Sequence, residues 1–252
     1  MAYSIGIDSG STATKGILLA DGVITRRFLV PTPFRPATAI TEAWETLREG
    51  LETTPFLTLT GYGRQLVDFA DKQVTEISCH GLGARFLAPA TRAVIDIGGQ
   101  DSKVIRLNED GSVKNFVMND KCAAGTGRFL EMMAKTMEMS LDELSQVGLS
   151  YQEYITISSM CTVFAESEVV SLIAQNKHTD DIVHGLNKAV AAKTASLVKR
   201  VGGEEAYMMT GGVAQNKGLV KTLEERLGTS LVISPKSQLC GALGAALFAA
   251  DM

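Results

Sequence analysis

Two short stretches of this chain carry the residue types that a phosphate chain needs. Asp8-Ser9-Gly10-Ser11-Thr12-Ala13-Thr14-Lys15 joins a carboxylate, hydroxyls, a turn glycine and a cation, and Asp96-Ile97-Gly98-Gly99-Gln100-Asp101-Ser102-Lys103 repeats the set. Glycine turns let backbone N–H groups approach phosphate oxygens closely, while hydroxyls and an ammonium complete the shell. The binding candidates are therefore Ser11, Thr12, Ala13, Thr14 and Lys15 on one side, and Gly98, Gly99, Gln100 and Asp101 on the other. Asp8 and Asp96, at the ends of apolar runs, suit a hydrated Mg²⁺, which takes one or two carboxylates besides waters and phosphate oxygens. Gln100 is the candidate to orient an attacking water; a hydrogen bond to phosphate or ribose is the plainer role for a glutamine in a turn. A third turn, Thr210-Gly211-Gly212-Val213 with Gln215 beyond it, follows an apolar run and opens a helical one. That placement suits adenosine and its α-phosphate at a helix N-terminus, with Gly241 opening the last helix beside the purine. There is no G-x-x-x-x-G-K-[ST], so the chain is not a P-loop protein.

The cysteines suggest a second chemistry. Cys122 precedes an expected helix over Gly125–Met139, and Cys161 precedes another, with Thr162 as its expected cap and Glu166 in its first turns. Helix N-termini depress thiol pKa and favour an anionic ligand sphere; the plainer reading is a small buried residue before each helix. Cys79 and Cys240 are read as structural. A [4Fe–4S] cluster takes four thiolates, so two such cysteines per chain suffice if a two-fold dimer supplies both pairs. A site within one chain that also uses Cys79 and Cys240, and zinc at a dimer interface, satisfy the same count. His80, His178 and His184 lack any partner motif and are read as surface or packing residues, and the methionines as core filling.

These residues must be positioned by elements that occur twice. Laying residues 7–19 on residues 95–107, an offset of 88, gives identities at six of thirteen positions, Asp8/Asp96 and Lys15/Lys103 among them. Each copy reads as strand, Asp-x-Gly turn, strand, Asp-Gly turn and a third strand over Val23–Val30 or Ser112–Met118. Helices are expected over Ala37–Leu51, Asp180–Arg200 (stopped at Gly202-Gly203), Asn216–Leu227 and Gly241–Ala249, and strands over Phe56–Leu59, Ala206–Thr210 and Leu231–Ser234. Duplicated meanders followed by helices predict an α/β protein of two lobes around a central cleft. Lobe I spans 1–89 and lobe II spans 90–239, with the C-terminal helix, 240–252, packing near lobe I.

Composition narrows the partners. The 252 residues carry 24 Lys and Arg against 28 Asp and Glu, a net charge of −4 without a block of like charge, which argues against nucleic acid. The longest apolar run, Gly241–Ala250, falls short of the roughly 18–20 residues that span a bilayer. The first residues lack a basic n-region, so no signal peptide is expected. Four cysteines in so long a chain do not make a disulfide scaffold, and a cytoplasmic location is expected.

IGIDSGSTATKGILL, VIDIGGQDSKVIRL and YMMTGGVAQNKGL resemble the phosphate-1, phosphate-2 and adenosine motifs of the actin-like ATPase superfamily, which includes sugar kinases, heat-shock chaperone ATPases and actin. The resemblance implies a duplicated, ribonuclease H-like fold with ATP and Mg²⁺ between the lobes. NDKCAAGTGRFLE and SSMCTVFAESEV, taken with those motifs, resemble the activator components of 2-hydroxyacyl-CoA dehydratases and the related benzoyl-CoA reductase ATPase subunits, from Ile5 to Ala246. That resemblance implies a homodimeric, oxygen-sensitive ATPase with one [4Fe–4S] cluster per dimer, held here by Cys122 and Cys161 of each chain. An electron would come from ferredoxin or flavodoxin and pass, driven by ATP, to a dehydratase-like or reductase-like partner. The alternative is a small-molecule, sugar-type kinase of the same fold without a cluster. It needs an aspartate base in the cleft, for which only Asp96 and Asp101 stand out.

Overall fold

The computed structural model describes residues 2–158, 161–202 and 206–252. Its elements run β1 (Tyr3–Ser9), β2 (Ala13–Ala20), β3 (Val23–Pro31), α1 (Pro36–Arg48), β4 (Phe56–Gly61), β5 (Lys72–Gln73) and α2 (Glu76–Leu87). Then follow β6 (Ala93–Ile97), β7 (Ser102–Leu107), β8 (Val113–Asn119), α3 (Gly127–Thr136), α4 (Leu141–Val147), α5 (Thr162–Ala174) and α6 (Thr179–Val201). β9 (Tyr207–Thr210), α7 (Lys217–Leu227), β10 (Val232–Ile233) and α8 (Cys240–Ala250) complete the fold.

The strands form two five-stranded sheets, ordered β3-β2-β1-β4-β5 and β10-β9-β6-β7-β8. Each is an antiparallel meander whose first strand also pairs in parallel with the strand beyond it, β1 with β4 and β6 with β9. Read outward from the meander, the two orders are the same. The register repeats as well: Asp8 lies opposite Lys15 across β1 and β2, and Asp96 opposite Lys103 across β6 and β7.

Strand alternation sets the layers. Ile5 and Ile7 join Leu18, Leu57 and Leu59 in a core under α1, whereas Ile17 and Leu19 face α8. In the second sheet Ile95, Ile97 and Val104 face a larger core with α3, α6 and α7, while Val94, Ile105 and Leu107 face α2. The layers therefore run α1, first sheet, α8 and α2, second sheet, and the outer helices. Asp8, Lys15, Asp96 and Lys103 share the parity of the inner faces, so all four project toward α2 and α8.

Two contacts hold the middle layer together. A Cβ on Gly6 would lie 2.1 Å from Ala246 N, so α8 sits directly on β1. A Cβ on Gly83 would lie 2.2 Å from Cys240 O, and one on Gly244 would lie 1.8 Å from Cys79 O, so α2 and α8 meet backbone to backbone. α8 is apolar on all sides, as befits a helix enclosed on all sides. No helix among the described residues is long and apolar enough to cross a membrane.

Several boundaries differ from the sequence expectation. Neither α2 nor α4 is anticipated by periodicity. α1 begins at Pro36, whose fixed φ suits the first turn, and ends before Gly50. α6 stops at Gly202, which is left-handed at φ 74°; Gly203 lies outside the described residues. The expected strand over Leu231–Ser234 shrinks to the two residues of β10.

Candidate nucleotide cleft and cysteine segments

The inner faces of the sheets meet over a cleft of about 330 Å³, lined by both Asp-x-Gly turns, the N-terminal part of α2, and segments of α3, α4 and the Gly211–Asn216 turn. Of the residues singled out above, Asp8, Ser11, Thr12, Ala13, Lys15, Asp96, Gly98, Gly99, Asp101, Gly211, Gly212 and Gln215 line it. Thr14 points to the back of its hairpin and shares a 3.0 Å hydrogen bond with Thr32. Gln100 is exposed and outside the cleft lining. Gly241 is packed against the cleft floor, where a Cβ would lie 2.9 Å from both Asp8 Oδ2 and His80 Nε2.

Two Asp–Lys pairs face each other across this cleft. Lys15 Nζ donates to Asp8 Oδ2 at 3.0 Å, and Lys103 Nζ donates to Asp96 Oδ2 at 2.9 Å. Lys103 also donates to Asp101 Oδ1 at 3.0 Å and lies 3.2 Å from Glu76 Oε1. Asp96 Oδ1 accepts from the Thr210 hydroxyl at 2.7 Å, and His80 Nδ1 stands 3.3 Å from the same oxygen and 3.1 Å from Thr210 Oγ1.

Burial alone would raise the Asp96 carboxyl, but His80 and Lys103 beside it and the hydrogen bonds from Lys103 and Thr210 hold it well below the usual carboxylate range. Burial would likewise lower Lys103, yet Asp96, Glu76 and Asp101 keep it charged to well above the usual lysine range. Glu76 moves the other way: burial raises its carboxyl, only partly offset by Lys103. Four carboxylates thus face two ammonium groups, an excess of negative charge where a phosphate chain would add more.

The turns touch each other. A Cβ on Gly99 would lie 1.9 Å from Thr12 Oγ1, a buried hydroxyl without a protein hydrogen-bond partner. Gly211 sits at φ +84°, with Ile97 O only 2.3 Å from where a Cβ would be, so only glycine fits there. The helix expected over Asn216–Leu227 forms, but it does not open directly on this turn. A short 3-10 turn, Gly212–Gln215, comes first, and α7 starts at Lys217 with Asn216 as its cap, accepting from Leu219 N at 2.9 Å.

The cysteine segments divide in two. Cys161 is the N-cap residue of α5 and is exposed, so Thr162 is the first helical residue rather than the cap, and no side chain caps this end. The neighbouring Ser159 and Met160 lie outside the described residues. Cys122 is not at a helix start. α3 begins at Gly127, because Gly127 N and Arg128 N donate to Gly98 O and Gly99 O, each at 2.8 Å. Those helix-end donors are taken by the second Asp-x-Gly turn and are not available at Cys122. The loop is held instead by Asn119 Nδ2, which donates to Cys122 O at 2.9 Å, and by the Thr126 hydroxyl on Ala123 O. Thr136 of α3 donates to Glu166 of α5 at 2.9 Å, linking the two segments. Cys79 and Cys240 are buried between α2 and α8; burial pushes the Cys79 thiol up to about 12 and Cys240 well above its ordinary value.

Sequence reasoning missed Glu76 and His80. Both stand on α2, four residues apart and on one face. His80, expected at the surface or in packing, is buried against Asp96.

The duplicated architecture is shared with proteins far away in sequence, ROK-family sugar kinases among them, at 14–15% identity and TM-scores of 0.62–0.67. Close relatives are also known. YjiL of Escherichia coli is 65% identical over 98% of this chain and 96% of its own length. The (R)-2-hydroxyglutaryl-CoA dehydratase activating ATPase of Acidaminococcus fermentans is 48% identical over 98% of this chain and 96% of its own. The solved structure of the activator of the 2-hydroxyisocaproyl-CoA dehydratase from Clostridium difficile with bound ADPNP superimposes with a TM-score of 0.92 at 44% identity, covering 99% of this chain and 94% of that one. The BadF/BadG/BcrA/BcrD ATPase family model matches residues 5–249. With both Asp-x-Gly turns, the Gly211-Gly212 turn and its cysteine segments all inside that span, the chain belongs to the BadF/BadG/BcrA/BcrD ATPase family.

Proposed function

We propose that this ATPase is a one-electron donor that activates a 2-hydroxyacyl-CoA dehydratase-like, or benzoyl-CoA reductase-like, partner. In this reading MgATP lies in the cleft, and a [4Fe–4S] cluster is shared by two copies of the chain. The observation that carries it is the pair of hydrogen bonds from Gly127 and Arg128 to Gly98 and Gly99. They tie a phosphate turn to the start of the helix that follows Cys122, so a change at the nucleotide moves the cysteine loop without an intermediary.

The residues suit each group. Phosphate oxygens would be met by the turn backbones, by Lys15 and by the unpartnered Thr12 hydroxyl. Leu130, Leu141 and Val213 offer apolar surface to a purine at the other end of the cleft. Asp8 and Asp96 would hold Mg²⁺ and answer the excess of negative charge. Among the described residues no three His, Cys, Asp or Glu side chains of one chain converge on a metal, and Cys79 and Cys240 are protonated and enclosed. That leaves Cys122 and Cys161, two thiols per chain and four per dimer. A bound cluster would supply one-electron chemistry, with ferredoxin or flavodoxin as the source.

The dimer has a surface to form on. The face of α5 next to Cys161 exposes Val163, Phe164, Val170 and Ile173 at 61, 67, 52 and 43%. Large apolar side chains left exposed on one helix suit an interaction surface, and a two-fold axis beside its N-terminus would bring both Cys161 residues together.

Anaerobic purification tests the proposal. The protein is expected to be brown, to hold about four irons per dimer and to bleach in air. Cys122→Ala and Cys161→Ala should each lose the iron, and Cys79→Ala should keep it. Iron-free wild-type protein, zinc in its place, or a full cluster on monomeric Cys122→Ala protein would refute it.

A further inference from the structure

The duplicated fold gives each cleft aspartate the same two neighbours. Lys15 and Thr60 lie opposite Asp8, and Lys103 and Thr210 lie opposite Asp96. The two copies then diverge. Among the described residues Asp8 takes a side-chain hydrogen bond from Lys15 alone. Asp96 is gripped on both oxygens, by Lys103 on Oδ2 and by Thr210 on Oδ1. His80, buried on α2, is the added third party, with Nδ1 3.1 Å from Thr210 Oγ1 and 3.3 Å from Asp96 Oδ1.

The neighbours of that nitrogen decide where its proton is. A hydroxyl has one proton, and Thr210 gives it to Asp96 Oδ1 at 2.7 Å. An ionised carboxylate only accepts. Nδ1 therefore carries a proton and donates it into the Thr210–Asp96 pair. The helix beneath the ring is fixed too. Cys240 Sγ donates to His80 O at 3.5 Å, and a Cβ on Gly244 would collide with the carbonyl of Cys79. Gly241 makes room for the imidazole, since a Cβ there would lie 2.9 Å from His80 Nε2. α8 thus holds α2 in one register, and α2 holds the ring against Asp96.

We propose that His80 is a positioning residue for Asp96: it fixes the direction of the carboxylate that meets Mg²⁺, and so sets how much Mg²⁺ the nucleotide needs. The proposal rests on the reading of the cleft as the MgATP site. Lys103 and Thr210 stand on the strands beside Asp96 and move with its sheet. His80 reaches in from the helix layer between the sheets, so it resists a rotation that the other two would follow. Side chains that hydrogen-bond a metal-facing carboxylate typically contribute about 10–100-fold to metal affinity.

Calorimetry of ADP binding over a series of free Mg²⁺ concentrations, starting in EDTA, tests this on the wild-type protein, His80→Ala, His80→Gln and His80→Asn. An asparagine carboxamide places an N–H near the position of Nδ1, whereas a glutamine carboxamide places it near Nε2. His80→Ala and His80→Gln should need at least about tenfold more Mg²⁺ for half of the gain in affinity, with Kd in EDTA held within about threefold of wild type. His80→Asn should restore most of the wild-type Mg²⁺ requirement. His80→Gln keeps most of the side-chain volume and carries the test if His80→Ala does not fold, with thermal melting in EDTA as the check. An unchanged Mg²⁺ requirement in His80→Gln, equal losses of affinity with and without Mg²⁺, or rescue by glutamine rather than asparagine would each overturn the assignment. Wild-type protein that does not bind ADP, or binds it equally well in EDTA and in Mg²⁺, would overturn the reading of the cleft itself and this assignment with it.

Discussion

Replacing Lys103 with methionine tests the electrostatic account of the cleft most directly. Methionine matches the aliphatic stem and removes the ammonium, leaving Asp96, Asp101 and Glu76 without their common partner. The side chains of Lys103 and Asp96 are 4 and 3% exposed, so water cannot take over. Breaking a buried pair by removing one partner costs roughly 3–5 kcal/mol, and each kcal/mol shifts Tm by about 2–4 °C in a chain of this size. Apo Lys103→Met protein should therefore melt roughly 6–20 °C below wild type at pH 8. The pH dependence carries the mechanism. In the wild type Asp96 is depressed, so its contribution is intact above the ordinary carboxylate pKa and is lost only as pH falls through the still lower folded value. In the variant Asp96 loses the charge and hydrogen bond of Lys103, while His80 and Thr210 still oppose its burial; Glu76, whose carboxyl burial already raises, loses the cation that offset it and rises further. A group with a raised folded value destabilises when ionised and recovers on protonation, so the deficit should narrow from pH 8 to pH 5. Urea unfolding followed by circular dichroism at both pH values measures this. A deficit below about 1 kcal/mol, or one that widens in acid, would refute the reasoning.

Glu76→Gln should behave oppositely in stability: the raised Glu76 carboxyl means its ionisation opposes folding above its ordinary pKa, so the variant should melt at or above the wild-type temperature at pH 8. A Cβ on Gly212 has Gln238 Nε2 at 3.6 Å as its nearest neighbour, so Gly212→Val should fold normally yet fill the cleft. MgADP affinity should fall at least about tenfold, roughly 1.4 kcal/mol, and unchanged affinity in calorimetry would remove the third turn from the site. Gly211→Val should instead destabilise the protein, since φ +84° and the Ile97 carbonyl both exclude a side chain. On α5, Phe164→Glu and Val170→Glu alter exposed residues and should leave the monomer fold intact while abolishing the dimer in sedimentation velocity; a persistent dimer would place the interface elsewhere.

Much of this protein could be read before it was folded, because the signals are local. The repeated Asp-x-Gly turns with a lysine seven residues on predict two equivalent hairpins. Strand alternation then requires Asp8, Lys15, Asp96 and Lys103 to share the inner faces. The third glycine turn is equally a matter of adjacent residues. What the sequence did not disclose depended on neighbours far along the chain. α2 shows little helical period because its inner positions include Gly83, kept small by backbone contact with α8 some 160 residues later. With that helix unseen, Glu76 and His80 could not be placed in the cleft. The start of α3 moved for a similar reason: the carbonyls of Gly98 and Gly99 take its first N–H groups, which leaves Cys122 in a loop while Cys161 remains at a helix end. The sequence sets Cys122 and Cys161, each before an expected helix, apart from Cys79 and Cys240, and burial encloses the latter two and leaves Cys161 exposed. Turn chemistry is written in consecutive residues, but burial and shared hydrogen bonds exist only once distant segments meet.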